Sequence, residues 1–179
     1  MQLFGLGDRV IMREGQVFNI GDKVVHPSYG AGSIIDIQEK QIGDEQRIYY
    51  MIDLLSQGGM LMVPVAQASD LGLRPPVETP KRVLRVLTSE PGLLSDDHRK
   101  RQEMIGDDIR SGNVMKISEA VRDLAHRDRA GKLTEADLKL YRKAQDFLVG
   151  ELALSQDIDL ETARDLVGST LEEVSLQQA

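Results

Sequence analysis

No cysteine and no tryptophan occur among the 179 residues, and the other aromatics are only three phenylalanines and four tyrosines. Without cysteine there is no disulfide, no thiolate metal site and no cysteine nucleophile. Such a chain suits a reducing compartment, and a cytoplasmic location is expected. No run approaches the roughly 18–20 continuous apolar residues that span a bilayer, so no membrane partner is expected. The opening MQLFGLGDRVIMREG is too polar for a secretory leader. Histidine is scarce as well: His26, His98 and His126 lie far apart, without metal-ligand spacing. No metal and no cofactor are expected.

Charge is plentiful but unevenly placed. The formal net charge is −7. Residues 1–74 carry a net of −3, residues 75–150 a net of +2 with fifteen basic groups, and residues 151–179 a net of −6. A global excess of acid argues against tight binding to bulk nucleic acid, while the middle region keeps a local basic character.

The apolar rhythm changes once along the chain. Residues 18–73 read as β structure. Lys23–Val25 and Ser33–Ile37 are short strands, and IGDE at 42–45 is a hairpin signal. Arg47–Leu55 alternates, with Ile48, Tyr50 and Ile52 on one side and Tyr49 and Met51 on the other. A turn at Gln57-Gly58-Gly59 leads to a strand over Met60–Val65, where Pro64 marks an edge. Residues 74–82, with Pro75, Pro76 and Pro80, read as a linker. Val83, Leu84, Val86 and Leu87 look like a short helical or extended segment docking between domains. From Ser95 the period becomes helical: a helix to about Arg110, a second carrying Ile117, Val121 and Leu124, and a third opened by Thr134-x-x-Asp137. A fourth is capped by Asp159, and SLQQA is expected to fray at its end. The fold class is therefore α+β. A small SH3-like or Tudor-like β-barrel (18–73) precedes a compact domain of four to five helices (83–179). Residues 1–17 form an N-terminal extension. In it FGLGDRVIM (4–12) echoes FNIGDKVVH (18–26), as an extra strand, a copy competing for the same slot, or a start-site irregularity.

Motifs for chemistry are missing. Gly21, Gly30 and Gly32 match neither GxGxxG nor a Walker A loop, and they lie between strands, so they read as turn glycines of a barrel. HRD at 126–128 has no DFG behind it and sits in a helix. Asp96/Asp97, Asp107/Asp108 and Glu172/Glu173 are adjacent on helices and do not face each other. No enzyme is expected. Basic groups stand out instead: Arg99-Lys100-Arg101 on the first long helix, Lys116, Arg122, Arg127, Arg129 and Lys132 near the second, and Lys139, Arg142 and Lys143 on the third. They fit a solvated, salt-bridged face or a phosphate-contacting one.

These residues carry a resemblance. FNIGDKVVHPSYGAGSIIDIQEKQIGDEQRIYYMIDL and LMVPV resemble the N-terminal domain of the CarD/CdnL family, which transcription-repair coupling factors share. SGNVMKISEAVRDLAHRD, GKLTEAD and KAQDFLVGELAL resemble the family's C-terminal domain. The likeness covers about residues 18–175. It implies a non-enzymatic bacterial regulator, monomeric and brought to the nucleoid by RNA polymerase. The barrel would bind the polymerase β subunit, and the helical domain would contact promoter DNA at the upstream edge of the bubble, stabilising the open complex. By position, Glu39, Lys40, Gln41, Leu61, Met62, Val63 and Pro64 would meet polymerase. Leu94, His98, Arg99, Lys100, Arg101 and Lys143 would meet DNA. Two features depart from the pattern. The arginines that relatives carry near Gln41 and at Met62 are replaced, with Lys40 as the remaining cation. The tryptophan that relatives place at the start of the DNA-facing helix is missing, which leaves Leu93, Leu94 or His98 in its space. A second reading is a protein–protein adaptor without productive DNA binding.

Overall fold

The computed structural model describes residues 18–56 and 58–177, with side chains to residue 173. The extension 1–17 with its strand echo, Gln57 of the expected turn, and the side chains of the last residues lie outside the described residues.

The expected α+β architecture is present. Strands β1 (Lys23–His26), β2 (Gly30–Ile42), β3 (Glu45–Leu54) and β4 (Met60–Pro64) form one antiparallel sheet in the order β1-β2-β3-β4. Helices α1 (Pro80–Thr88), α2 (His98–Arg110), α3 (Val114–Arg129), α4 (Glu135–Gln156) and α5 (Leu160–Gln177) follow. The sheet curls over its own core of Phe18, Val24, Ile34, Tyr50, Ile52, Val63 and Leu73. A bulge between Ile34 and Asp36 bends β2 and leaves Ile35 exposed. Arg74 returns beside β1, exchanging both backbone hydrogen bonds with Val25, so the chain of the expected linker adds a bridge to the sheet.

β2 is longer than its apolar signal, since it begins at Gly30. Gly32 stands where a Cβ would lie 2.5 Å from the Asp53 carbonyl oxygen, so only glycine fits against β3 there. His26 ends β1 buried. Its Nδ1 accepts the Ser28 N–H at 3.1 Å, and burial holds its pKa below the ordinary value. It is a structural histidine.

The helices begin where short polar side chains can accept free backbone N–H groups. Asp97 accepts from Arg99 and Lys100, Asn113 from Met115 and Lys116, and Asp159 from Thr162. Thr134 and Asp137 form the reciprocal capping box expected of them. One expectation fails: α1 does not dock between the domains. Val83 and Leu87 are buried in the helical core with Ile109, Ile117, Val121, Leu124, Leu148, Leu152 and Val167.

α4 is the axis of the molecule. Phe147 through Leu154 are buried without a gap, so this stretch has no solvent face. One side packs in the bundle and the other packs on the sheet. Gly150 brings α4 against Ala31, whose Cβ would lie 3.1 Å from a Cβ at position 150. The close neighbour of Gly150 is thus β2 and not another helix. Leu154 clusters with Val25 and Ala31. Glu151, 2% exposed, receives both guanidinium nitrogens of Arg74 at 2.6 and 2.8 Å and the Val77 N–H at 3.0 Å. Arg74 also reaches the Gly112 carbonyl at 2.7 Å. Lys23 caps the end of α4 through the Leu154 carbonyl and pairs with Asp157.

A second buried pair ties α2 to α4. Arg101 and Asp137 are each 1% exposed and joined by two hydrogen bonds, at 2.8 and 3.1 Å. Burial alone would raise the pKa of Asp137. The Arg101 guanidinium, the Thr134 N–H and hydroxyl, and the Gln102 amide outweigh it and hold this carboxyl well below the usual carboxylate range.

Two outcomes follow from these pairs. Arg101→Met is expected to lower unfolding free energy by about 3–5 kcal/mol, because Asp137 is left charged and buried; urea denaturation measures it. In the wild type, the contribution of this pair is complete above the ordinary carboxylate value of about 3.9 and is lost as pH falls toward the depressed folded value. The difference between wild type and variant therefore shrinks in acid titrations. Glu151→Ala is expected to cost about 2–4 kcal/mol, discounted because Arg74 keeps partial access to water.

Candidate interaction surfaces on the sheet and on the helical domain

Strand alternation divides the seven residues assigned to polymerase into two sets. Val63 is 1% exposed and belongs to the inner core, and Leu61 packs against that core, so neither offers a contact surface. Met62 and Pro64 lie on the outer face, where register places them beside Met51 and Tyr49. Lys40 joins them from β2: its Nζ lies 3.6 Å from Met62 Sδ. Glu39 and Gln41 are exposed near the β2–β3 hairpin end, opposite Ile48 and Gln46. The outer face thus carries Met60 (58% exposed), Met62 (39% exposed) and Ile35 over buried Met51 and Tyr49, with one ammonium at its edge. Met51, Met60 and Ile35 were not singled out as contact residues from the sequence, although a period of two from Met62 along β4 marks Met60.

Among the described residues, the same sheet has an edge without a strand partner. β4 is an edge strand, and Leu54 N–H donates to the Gly59 carbonyl at 3.0 Å. By the alternation of an antiparallel ladder, the main-chain groups of Met60, Met62 and Pro64 then point to the free edge. β4 pairs only with residues 49–53 of β3. Beyond Pro64 the chain leaves as a 3-10 turn over Val65–Gln67, so among the described residues Glu45–Ile48 of β3 have no strand partner on that side. A cavity of about 330 Å³ opens there, lined by Gln46, Arg47, Ile48 and residues 64–67.

The residues assigned to DNA scatter. His98, Arg99 and Lys100 are exposed in the first turn of α2. Arg101, next in line, is not on that face. It is buried against Asp137, and helical geometry swings it inward. Leu94 is half-buried on the helical core. Lys143 stands on α4 over the Phe147 ring, 5.5 Å from its centroid, and that ring packs on Gly30. The loop before α2 offers what these residues do not. Leu93 is fully exposed at its apex.

This loop is held from below by three arginines. Arg122 donates to Ser89 Oγ at 2.6 Å and to Asp123 at 2.7 Å, and Asp123 accepts the Gly92 N–H at 2.8 Å. Arg127 pairs with Asp96, and Arg101 donates to the Ser95 and Asp96 carbonyls. A cleft of about 250 Å³ lies beneath, lined by Gly92, Leu93, Leu94, His126, Arg127 and Lys132 among others. In the sequence these arginines fit either a solvated, salt-bridged face or a phosphate-contacting one. Several of them are in fact spent on internal acceptors.

Among the described residues, no group of three or more His, Asp or Glu is placed to hold a metal, and no helix is long and apolar enough to cross a membrane.

Comparison with known proteins agrees with this two-part layout. Residues 18–77 match the model of the CarD-like/TRCF RID domain, and residues 82–168 match that of the CarD C-terminal domain. A Bacillus subtilis (strain 168) protein named "Putative transcription factor YdeB" is 27% identical over 144 residues, which cover 79% of this chain and 94% of that protein. With both domain models matched in order over most of its length, the chain belongs to the CarD family of non-catalytic, RNA polymerase-associated transcription regulators.

Proposed function

We propose that the outer face and free edge of the sheet dock on the β subunit of RNA polymerase, and that the docked protein sets the Leu93 loop and the start of α2 against promoter DNA at the upstream edge of the bubble. The observation that carries the DNA half is Leu93: a fully exposed apolar side chain on a loop pinned by Arg122, Arg127 and Arg101, beside exposed His98, Arg99 and Lys100. An apolar wedge on a fixed loop suits an unstacked junction, and adjacent cations suit its phosphates.

The polymerase half rests on main-chain groups and apolar contact rather than on charge. An unpaired edge accepts an added strand, and Met60, Met62 and Pro64 supply the surface beside it. Lys40 supplies a cation for an acidic partner, while Arg47, opposite it in register, is paired with Glu45. With a net charge of −7, free protein binds bulk DNA weakly. Attachment to polymerase raises the local concentration of the loop at the promoter, and a contact of about 1.4 kcal/mol then shifts an opening equilibrium tenfold.

The adaptor reading keeps one supporting observation: Arg101 is withdrawn into the core, and Asp96 and Asp97 border the loop, so the DNA-facing surface is less basic than its sequence.

Titration against RNA polymerase from the same organism separates the two readings. Replacing Met62 with Asp together with Pro64 with Ala is expected to weaken polymerase binding at least tenfold while circular dichroism stays unchanged. No saturable binding of the wild type at tens of micromolar overturns the docking reading. Arg99→Ala with Lys100→Ala is expected to keep polymerase binding and shorten open-complex lifetime, with the salt slope of DNA engagement falling by about 2. Leu93→Ser is expected to shorten the same lifetime with no change in salt slope. Unchanged lifetimes in both variants identify the adaptor.

A further inference from the structure

The docking face is also where the chain keeps its accessible sulfur. With no cysteine anywhere in the sequence, methionine is the only side chain open to sulfur oxidation. Among the described residues five methionines occur, and three of them share one side of the sheet: Met51, Met60 and Met62. Met51 is buried at 5% exposure, while Met60 and Met62 are open at 58% and 39%. Both open residues lie on the edge strand and point to the same face. Met104, 43% exposed on α2, is the comparable thioether away from the sheet.

We infer that Met62, with Met60 beside it, is a site of reversible oxidation that switches polymerase docking off. This rests on the docking reading above and adds its regulation. The oxidant is hydrogen peroxide. A thioether lone pair attacks one peroxide oxygen, the O–O bond breaks, and the sulfur is oxidised by two electrons to the sulfoxide as the peroxide is reduced to water. The reverse step consumes a dithiol through a methionine sulfoxide reductase, giving thioether, disulfide and water.

Two features make Met62 more than an exposed methionine. The Lys40 ammonium already lies at its sulfur, 3.6 Å away, and is placed to donate to the new sulfoxide oxygen. The oxidised side chain therefore keeps a partner within the protein, and the Lys40 ammonium is turned away from an acidic partner. The second feature is the composition of the face. Its exposed apolar area is concentrated in Met60, Met62 and Ile35, so two sulfoxides convert most of it to polar surface.

The test uses full-length protein and purified polymerase. The protein is treated with hydrogen peroxide, sulfoxide is mapped by peptide mass spectrometry, and polymerase affinity is measured before and after. Oxidation at Met60, Met62 and Met104 with Met51 spared, and at least a tenfold loss of affinity, are expected. Incubation with the two methionine sulfoxide reductases and dithiothreitol is expected to restore binding. Met60→Leu with Met62→Leu is expected to give equal affinities before and after peroxide, whatever its untreated value; Met104→Leu is expected to remain peroxide-sensitive. Undiminished binding by protein fully oxidised at Met60 and Met62 overturns the inference alone, as does a peroxide loss that persists in the double leucine variant. No binding by untreated protein overturns the docking reading and this inference with it.

Discussion

The bond between Arg74 and Glu151 sets what the rest of the molecule can do. Arg74 leaves the sheet beside β1, and Glu151 sits in a stretch of α4 with no solvent face, so the pair joins the last residue of one unit to the central helix of the other. Glu151 could not be buried alone, since an unpaired carboxylate there costs several kcal/mol. Its acceptor sites are filled by a guanidinium fork and a backbone N–H, all from residues 74–77. Around this bond the contacts are small and close: Gly150 on Ala31, Phe147 on Gly30, Pro27 on Gly112. Such a seam forbids sliding, because each contact is a close approach of backbone or of the first side-chain atom.

A fixed seam suits a protein whose two surfaces are individually weak. The sheet offers one ammonium and a patch of methionine, and the helical domain offers one exposed leucine with a few cations. Neither is a strong site alone. On the proposed function, with both surfaces held in one body, the ordering cost of bringing the second to its target is met when the first one docks, which is the thermodynamic content of effective concentration. The three arginines under the Leu93 loop follow the same logic on a smaller scale, since a loop fixed beforehand loses little freedom on contact.

Much of the fold was legible because it is local. Turn glycines, period-two alternation over 47–55, the Thr134–Asp137 box and the Asp159 cap are each decided within a few residues, and each stands in the structure. What was not legible depends on partners far away in the chain. Arg101 follows Arg99 and Lys100 and looks like the third cation of a patch; only Asp137, thirty-six residues later, explains why it is inside. Residues 61–64 looked like one contact segment, yet sheet geometry puts Leu61 and Val63 on the core and Met62 and Pro64 outside. Gly150 meets Ala31 and Ser56, neighbours from the other domain that no local pattern names. The geometry therefore splits each expected surface: Val63 and Arg101 lie in the core, whereas Met62, Arg99 and Lys100 are exposed.

The glycine seam also bears on how such chains can be recombined. Each half contributes the small residue at one contact and the larger group at another: Gly30 receives Phe147, Gly150 receives Ala31, and Gly112 receives Pro27. The surfaces therefore fit as a matched pair. A graft that joins the sheet of one family member to the helices of another would meet a collision where a methyl is added at position 112 or 150, and a strained backbone where one is added at position 30. Modular inheritance of the two halves is thus limited at their boundary, even though each half is recognisable by itself.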